Sequence, residues 1–312
     1  MSNSKMKAIL VREYGGPDVL QVAEVERPQP QEGEVLVRIV YAAAIPLDYK
    51  IRNGWLQAVF PKTFPYIPGT AISGFVESVG AGVTQFQPGD RVFGSVNGAY
   101  AEYGIAAANE LVRMPGDLTF EDAASIKAGA ESAWKALFTE GELQTGQTVL
   151  IHAAAGGVGQ FAVQLAKWKG AKVIGTASSA NLDFVTSLGA DQVIDYNTTR
   201  FEDVAENVDL VVDLVGGDTE NRSWSVLKRG GMLVSLTQPP SQEKAQEHGV
   251  TAKFNSKFPT YEDSETIAQL IADGTVKAAI DAVYPLSNTK EALEKSETRH
   301  GRGRILLSVS SS

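Results

Sequence analysis

Cysteine is missing from the chain altogether, and histidine is nearly so, with only His152, His248 and His300. Without a thiol there is no disulfide and no thiolate ligand for zinc. The three histidines stand too far apart to suggest a ligand pair, so no metal site is expected, and His152 reads as the end of a core strand. Also lacking is any apolar run near the roughly 20 residues that cross a bilayer. The start, Met1-Ser2-Asn3-Ser4-Lys5, has no signal-peptide core. Basic charge is scarce as well: 28 Lys and Arg against 37 Asp and Glu give a formal charge of −9, spread along the sequence. The cluster Arg299, Arg302 and Arg304 is small and reads as a solvated face, so no nucleic-acid partner is expected. A soluble cytoplasmic protein acting on a small molecule is the expectation, and 312 residues suffice for two domains of ordinary size.

What the chain does have is a glycine turn. The apolar run Thr148-Val149-Leu150-Ile151 breaks at Ala153 to Gly159, after which Val158, Phe161, Ala162, Leu165 and Ala166 recur at helical spacing. A first strand therefore hands over to a first helix. Within the turn, Ala154-x-Gly156-x-x-Gly159 is the dinucleotide fingerprint with alanine in the first glycine slot. Gly156 lets backbone approach a pyrophosphate, and Gly159 lets helix pack on strand. Ala155, Gly156, Gly157, Val158 and Gly159 are the candidate phosphate-binding residues, through N–H groups at the helix start. A second strand, Ala171 to Thr176, follows. In an NAD site a carboxylate about 20 positions past the motif holds the ribose 2′-hydroxyl. That count lands on Ala177, and no carboxylate comes before Asp183. A 2′-phosphate is admissible there, with Ser178, Ser179 and Tyr196 as donors, which favours NADPH over NADH. No Arg or Lys stands in the Ser178 to Asn181 turn to meet it.

Upstream, Lys7 to Val11, Leu20 to Val25, Glu34 to Tyr41, Thr70 to Val79 and Asp90 to Gly94 read as short strands punctuated by Gly and Pro, a β-rich, barrel-like first domain. Thr119 caps a helix through Phe120 to Ala124, with Asp122 in the capping-box position. Downstream, Asp191 to Tyr196, Val208 to Val215, Gly231 to Leu236 and Val250 to Phe254 are strands with helical patterns between most of them. Strands and helices in alternation imply a doubly wound parallel sheet with its ligand at the strands' carboxyl ends. Val215, Leu236 and Phe254 stand at such ends. Ser264 to Ala272 and Asn288 to Ser296 read as helices, and Arg304 to Val309 as a last strand.

The phrases "PQPQEGEVLVRI", "IPLDYKIRNG", "PYIPGTAISGFVESVGAGVTQFQPGDRVFG", "IHAAAGGVGQFAVQLAKWKGAKVIGT", "LGADQVIDY" and "GRGRILL", in this order, resemble the medium-chain dehydrogenase/reductase superfamily through nearly the whole chain. Within it the chain looks most like the zinc-independent quinone oxidoreductases, a branch that includes zeta-crystallin-like proteins and the related alkenal or enone reductases. The resemblance implies an α/β fold: a discontinuous GroES-like catalytic domain, residues 1–122 and 284–312, around a Rossmann NADPH-binding domain, residues 123–283. It implies a homodimer as well, through the edge strand Val250 to Phe254. Zinc alcohol dehydrogenases of the superfamily carry a Cys and a His where this chain has Ile45 and Thr70, and a four-cysteine lobe that this chain lacks. Ser132, in Gly129-Ala130-Glu131-Ser132-Ala133-Trp134, falls where the family places a Thr against the nicotinamide, and Glu131 replaces the usual Leu.

Hydride transfer asks the protein mainly to place the cofactor against an electrophile and exclude water. Without zinc or an adjacent base to polarise an alcohol, the suitable acceptors are those already activated by conjugation, namely quinones and α,β-unsaturated carbonyls. Tyr49 and Lys50 are the candidate catalytic donors, each able to hydrogen-bond an enolate-like oxygen. Pocket shaping by Tyr49 and a solvated Lys50 are equally open. Ile45, Trp55 and Ser132 are the candidate substrate-pocket residues, with Phe60, Phe64 and Tyr66 extending an aromatic segment. Ile45 and Ala71 stand where the family often has Asn and Asp. They keep open a non-catalytic NADPH-binding sensor or structural role, beside a quinone reductase and an enone reductase with little quinone activity.

Overall fold

The computed structural model describes residues 5–310. Strands β1 (Lys5–Val11) and β2 (Leu20–Glu26) form an antiparallel pair. After them come β3 (Glu34–Ala44), α1 (Pro46–Arg52), β4 (Ala71–Val79), β5 (Arg91–Ser95), β6 (Tyr103–Ala107) and β7 (Leu111–Arg113). Helices α2 (Phe120–Ala124) and α3 (Glu131–Trp134) belong to a helical stretch that reaches Thr139. The second half runs β8 (Thr148–Ile151), α4 (Gly159–Trp168), β9 (Lys172–Ala177), α5 (Leu182–Ser187), β10 (Gln192–Asp195), β11 (Val208–Asp213), α6 (Asp218–Ser223), β12 (Leu227–Ser235), α7 (Gln242–His248), β13 (Thr251–Phe254) and α8 (Tyr261–Ala272). The chain ends with β14 (Ile280–Pro285), α9 (Thr289–Glu297) and β15 (Arg304–Ser308).

The second half forms a six-stranded sheet, parallel throughout, in the order β10-β9-β8-β11-β12-β13. This is the doubly wound order, with the switch point between β8 and β11, where the glycine turn lies. Alternation along the strands divides the core. Val149 and Ile151 of β8 point to one face, where Phe161, Ala162 and Leu165 of α4 cover them, while Leu150 points to the other, packed with Ile174, Val211 and Trp224. Burial on both faces is why these strands read as continuous apolar runs.

The first half forms a seven-stranded sheet, β14-β15-β3-β4-β5-β7 with β6 also on β3. It is antiparallel except for β14 on β15. β3 is its longest strand and pairs with β4, β6 and β15, so most of its side chains are buried. The return of the chain's end to this sheet through β15 is what the family resemblance implies. Its partner β14 was not read, because its side chains are only partly covered. Thr119 caps α2 as expected, accepting from the Asp122 N–H at 3.1 Å. The Ser264 helix begins earlier, at Tyr261, because Thr260 and Asp263 form a reciprocal capping box.

Around α3 the helix widens twice. Glu131 N–H reaches Ile126 O, and Glu140 N–H reaches Lys135 O at 2.8 Å, five residues apart in each case. Such π turns concentrate at functional sites. Among the described residues no helix is long and apolar enough to cross a membrane.

Candidate active site at the glycine turn

The parallel topology brings most of the sequence-derived cofactor residues to one edge of the six-stranded sheet. The glycine turn follows β8, Ser178 and Ser179 follow β9, Tyr196 follows β10, Val215 follows β11, Leu236 follows β12, and Phe254 ends β13. The loop after β11 is held by Asp213, whose buried carboxylate accepts from Val215 N–H at 3.0 Å and Gly216 N–H at 2.9 Å. Ser132 joins this edge from α3: its carbonyl accepts from Asn255 Nδ2 at 3.2 Å, one residue past β13.

The turn itself has the properties a pyrophosphate requires. Ala153 adopts φ 50, the left-handed region that non-glycine residues seldom occupy, and so aims the chain into the bend. At Gly159 a Cβ would lie 2.2 Å from Ala153 O, so only glycine lets α4 pack this closely on its strand. At Gly156 a Cβ would meet nothing nearer than 3.3 Å, leaving an open approach for a ligand. The strongest feature comes from the far end of the sequence. Gly303 N–H donates to Ala155 O at 2.9 Å, and Arg304 lies so close to Gly157 that a Cβ there would be 3.0 Å from its Cδ and Nη1. Arg304 is buried. Its Nη1 reaches Ala128 O at 3.4 Å, whereas Nε and Nη2 have no partner among the described residues. Burial pulls the guanidinium down to about 10, still fully charged at neutral pH. Buried donors left unmet are costly; the Asp48 carboxyl acts on this guanidinium from the first domain, and the cation as a whole makes the turn favourable for an anionic group.

The first domain comes within electrostatic reach of Arg304 through Asp48 of α1. Ile45 is its N-cap residue, and Asp48 accepts from the Ile45 N–H at 3.0 Å and from Tyr100 Oη at 2.6 Å. Burial pushes Asp48 up to about 6, opposed by these two hydrogen bonds and then by the charges of Arg304 and Lys62. Tyr49 is buried, with its ring edge-on to Trp55 at 6.1 Å, and Trp55 itself is 64% exposed. Lys50 is half-buried, and desolvation, helped by Arg299, pulls its ammonium down. Ile45 and Ala71 share one apolar cluster with Ala43, Ala124 and Leu306, so the two family polar slots are replaced by mutual packing.

Other residues face elsewhere. His152 is buried between Thr176 Oγ1 at 3.1 Å and Ser223 Oγ at 2.9 Å. Since Ser223 gives its proton to Thr219 O, the ring proton is assigned to Nε2. Desolvation takes its pKa down to about 3, so it stays neutral and serves the core. Glu131 points to α8, accepting from Ser264 Oγ at 2.8 Å, and is turned away from the glycine turn. A cavity of about 740 Å³ between α4, α5 and residues 275–279 is lined by none of the sequence-derived site residues. Among the described residues no group of three or more His, Cys, Asp and Glu could hold a metal ion.

Sequence reading missed Arg304, Asp48, Tyr100 and Arg302. Arg302, set aside as a solvated charge, donates through Nε to Asn181 Oδ1 at 2.7 Å and through Nη2 to Ala180 O, on the turn after β9. The only signal for it was the basic cluster, and nothing local tied that cluster to a turn more than a hundred residues earlier.

Comparisons with known proteins agree with this geometry. Residues 31–116 match the alcohol dehydrogenase GroES-like domain, and residues 188–307 match the zinc-binding dehydrogenase domain. A chloroplastic quinone-oxidoreductase homolog of Spinacia oleracea is 32% identical, covering 98% of this chain and 99% of its own. An NADPH-dependent alkenal/one oxidoreductase from Arabidopsis thaliana is 32% identical, covering 97% of this chain and 79% of its own. The structure of the quinone oxidoreductase from Coxiella burnetii superposes with a TM-score of 0.93 at 33% identity, covering 98% of this chain and 100% of its own. A GroES-like sheet joined to a parallel nucleotide-type sheet, with a glycine turn where they meet, defines a two-domain oxidoreductase of the dehydrogenase type. The chain belongs to the quinone oxidoreductase branch of the medium-chain dehydrogenase/reductase superfamily.

Proposed function

We propose that the protein is an NADPH-dependent, zinc-independent reductase of quinones or other conjugated carbonyls. The observation that carries the reading is the glycine turn at the switch point of the parallel sheet, open to a ligand at Gly156 and with the Arg304 cation set against Gly157. Residues 1–122 with 284–312 form the catalytic unit and 123–283 the nucleotide unit, in a cytoplasmic homodimer.

In this reading Ala155, Gly156, Gly157, Val158 and Gly159 hold the pyrophosphate together with Arg304. Ser178, Ser179 and Tyr196 bind the adenosine end, while Val215, Leu236, Phe254 and Ser132 shape the nicotinamide end. When bound, NADPH supplies a hydride from C4 of its nicotinamide. The chain orients the acceptor between α1 and the sheet edge, with Ile45 and Trp55 giving it an apolar wall. Tyr49 and Lys50 supply donors to the acceptor's oxygen, and the proton held on Lys50 Nζ is the more readily given because desolvation already weakens its hold. Ile45 and Thr70 stand where a metal-using relative carries Cys and His, so the acceptors proposed are those that conjugation has already activated.

The test is consumption of NADPH and NADH by the purified protein against an ortho-quinone, a para-quinone, a short enal and an enone. Turnover of the quinones with NADPH is the expected outcome. Preference for the enal or enone would instead favour the double-bond reductase reading, which the alkenal/one oxidoreductase relative supports. Tight NADPH binding with no turnover of any acceptor would establish a sensor.

A further inference from the structure

Arg302 reaches from the approach to β15 to the turn after β9. Its guanidinium forms no ion pair among the described residues, and its hydrogen bonds go to two neutral oxygens, Asn181 Oδ1 and Ala180 O. The backbone beneath it is fixed, because Arg302 N–H donates to Asp281 Oδ1 at 3.2 Å and the guanidinium lies 5.8 Å from the Phe184 ring centroid. The guanidinium is thus placed on the turn that follows β9, next to Ser178 and Ser179, and among the described residues Nη1 makes no hydrogen bond. That turn carries no cation of its own. Asn181 joins the two, since its Nδ2 donates to Ser178 Oγ at 3.1 Å while its Oδ1 receives Arg302.

We propose that Arg302 is the specificity residue for the 2′-phosphate of the cofactor, a role supplied from the far end of the chain rather than from the turn itself. The inference rests on the nucleotide reading above and names which residue decides between its two cofactors. Physical reasons favour it. A 2′-phosphate brings about two negative charges to a turn where one carboxylate, Asp195, already stands, occupied by Ser179 Oγ and by Asn197 N–H at 2.9 Å. Hydroxyl donors alone do not offset that repulsion, whereas an arginine fork meets phosphate oxygens with two parallel N–H bonds. Arg302 and Arg304 are two residues apart on one strand approach, so the same short segment reaches both the pyrophosphate turn and the ribose turn. The cofactor's phosphates are then read from the catalytic domain, and phosphate recognition is coupled to the contact between the two domains.

The experiment measures equilibrium binding of NADPH, NADH, 2′,5′-ADP and 5′-ADP by nucleotide fluorescence and calorimetry. It compares the parent protein with Arg302→Ala and Arg302→Gln. The Gln variant retains a hydrogen-bonding head for Asn181 without the charge, and separates loss of charge from loss of the turn's shape. Both variants are expected to bind NADPH and 2′,5′-ADP about tenfold to a hundredfold more weakly, the range of a lost charge-assisted contact, with NADH and 5′-ADP changed less than about twofold. Weaker binding of all four ligands would make Arg302 a prop of the turn and overturn the proposal. A parent protein that prefers NADPH, with variants that keep that preference, would also overturn it. A parent that binds NADH as tightly as NADPH would overturn the NADPH reading itself.

Discussion

Asp48 illustrates what one residue can carry. Its carboxyl receives Tyr100 Oη and the Ile45 N–H on a single oxygen, and burial still lifts it from 3.8 to about 6. A carboxyl raised in the folded state contributes stability that is full below its unfolded value and is lost as pH rises through the folded value. Asp48 therefore favours folding most below about pH 4 and gives that up by about pH 6 to 7, a span worth about 3 kcal/mol. With Asp48→Asn the group no longer titrates. Denaturant unfolding of both proteins from pH 4 to 7 should show the stability of the parent falling relative to the variant by up to that amount. A difference that stays constant with pH would refute this account. The motif around Asp48 was legible, since "IPLDYKIRNG" marked the segment, but the burial that gives the residue its character was not. The same holds for Arg302 and Arg304: the sequence shows a cluster of arginines at 299, 302 and 304, and only the folded chain shows that one reaches Asn181 and another Gly157. Local spacing locates phosphate-binding backbone because the turn is made of neighbours. It does not locate side chains delivered by a strand that closes the fold last.

At the scale of elements, periodicity served best where burial is regular. The inner parallel strands, buried on both faces, read as apolar runs, and the doubly wound parallel sheet followed from strand and helix in alternation. The stretch from Ile126 to Thr139 was harder, because its two π turns shift the helical phase and no 3.6-residue pattern persists through them. That shift decides where Glu131 points. It is buried against α8, bonded to Ser264 and 3.5 Å from Lys127, and desolvation raises its pKa. A buried ion pair of this kind adds little to stability relative to an apolar side chain of similar size. Glu131→Leu is therefore expected to leave the melting temperature unchanged or higher. NADPH affinity should be untouched, because Ser264 retains its bond to Thr260 O and Lys127 its contact with Glu110. Loss of nucleotide affinity with an unchanged melting temperature would put Glu131 in the site instead.

For the whole molecule the open question is the exposed edge of the six-stranded sheet. β13 has β12 on one side and, among the described residues, no strand on the other. Asn255 N–H donates to Ser235 O of β12 at 2.9 Å, so by the two-residue period of a strand the N–H groups of Ala252 and Phe254 face outward. Unpaired edges are liabilities that proteins cover or pair. Phe254 and Phe258, at 38% and 85% exposure, lie on or just past this strand and supply apolar surface next to it. Pairing of two β13 edges about a twofold axis would join both sheets into one and cover the surface, consistent with the homodimer proposed above. Light scattering should then give twice the 33.3 kDa of the chain. Ala252→Pro removes an outward N–H while leaving the β12 side of the strand intact, and proline is tolerated on an edge. That variant should run as a monomer with an unchanged circular dichroism spectrum. If the parent protein is already a monomer, edge pairing is wrong. If the proline variant remains a folded dimer, the two chains meet through another face.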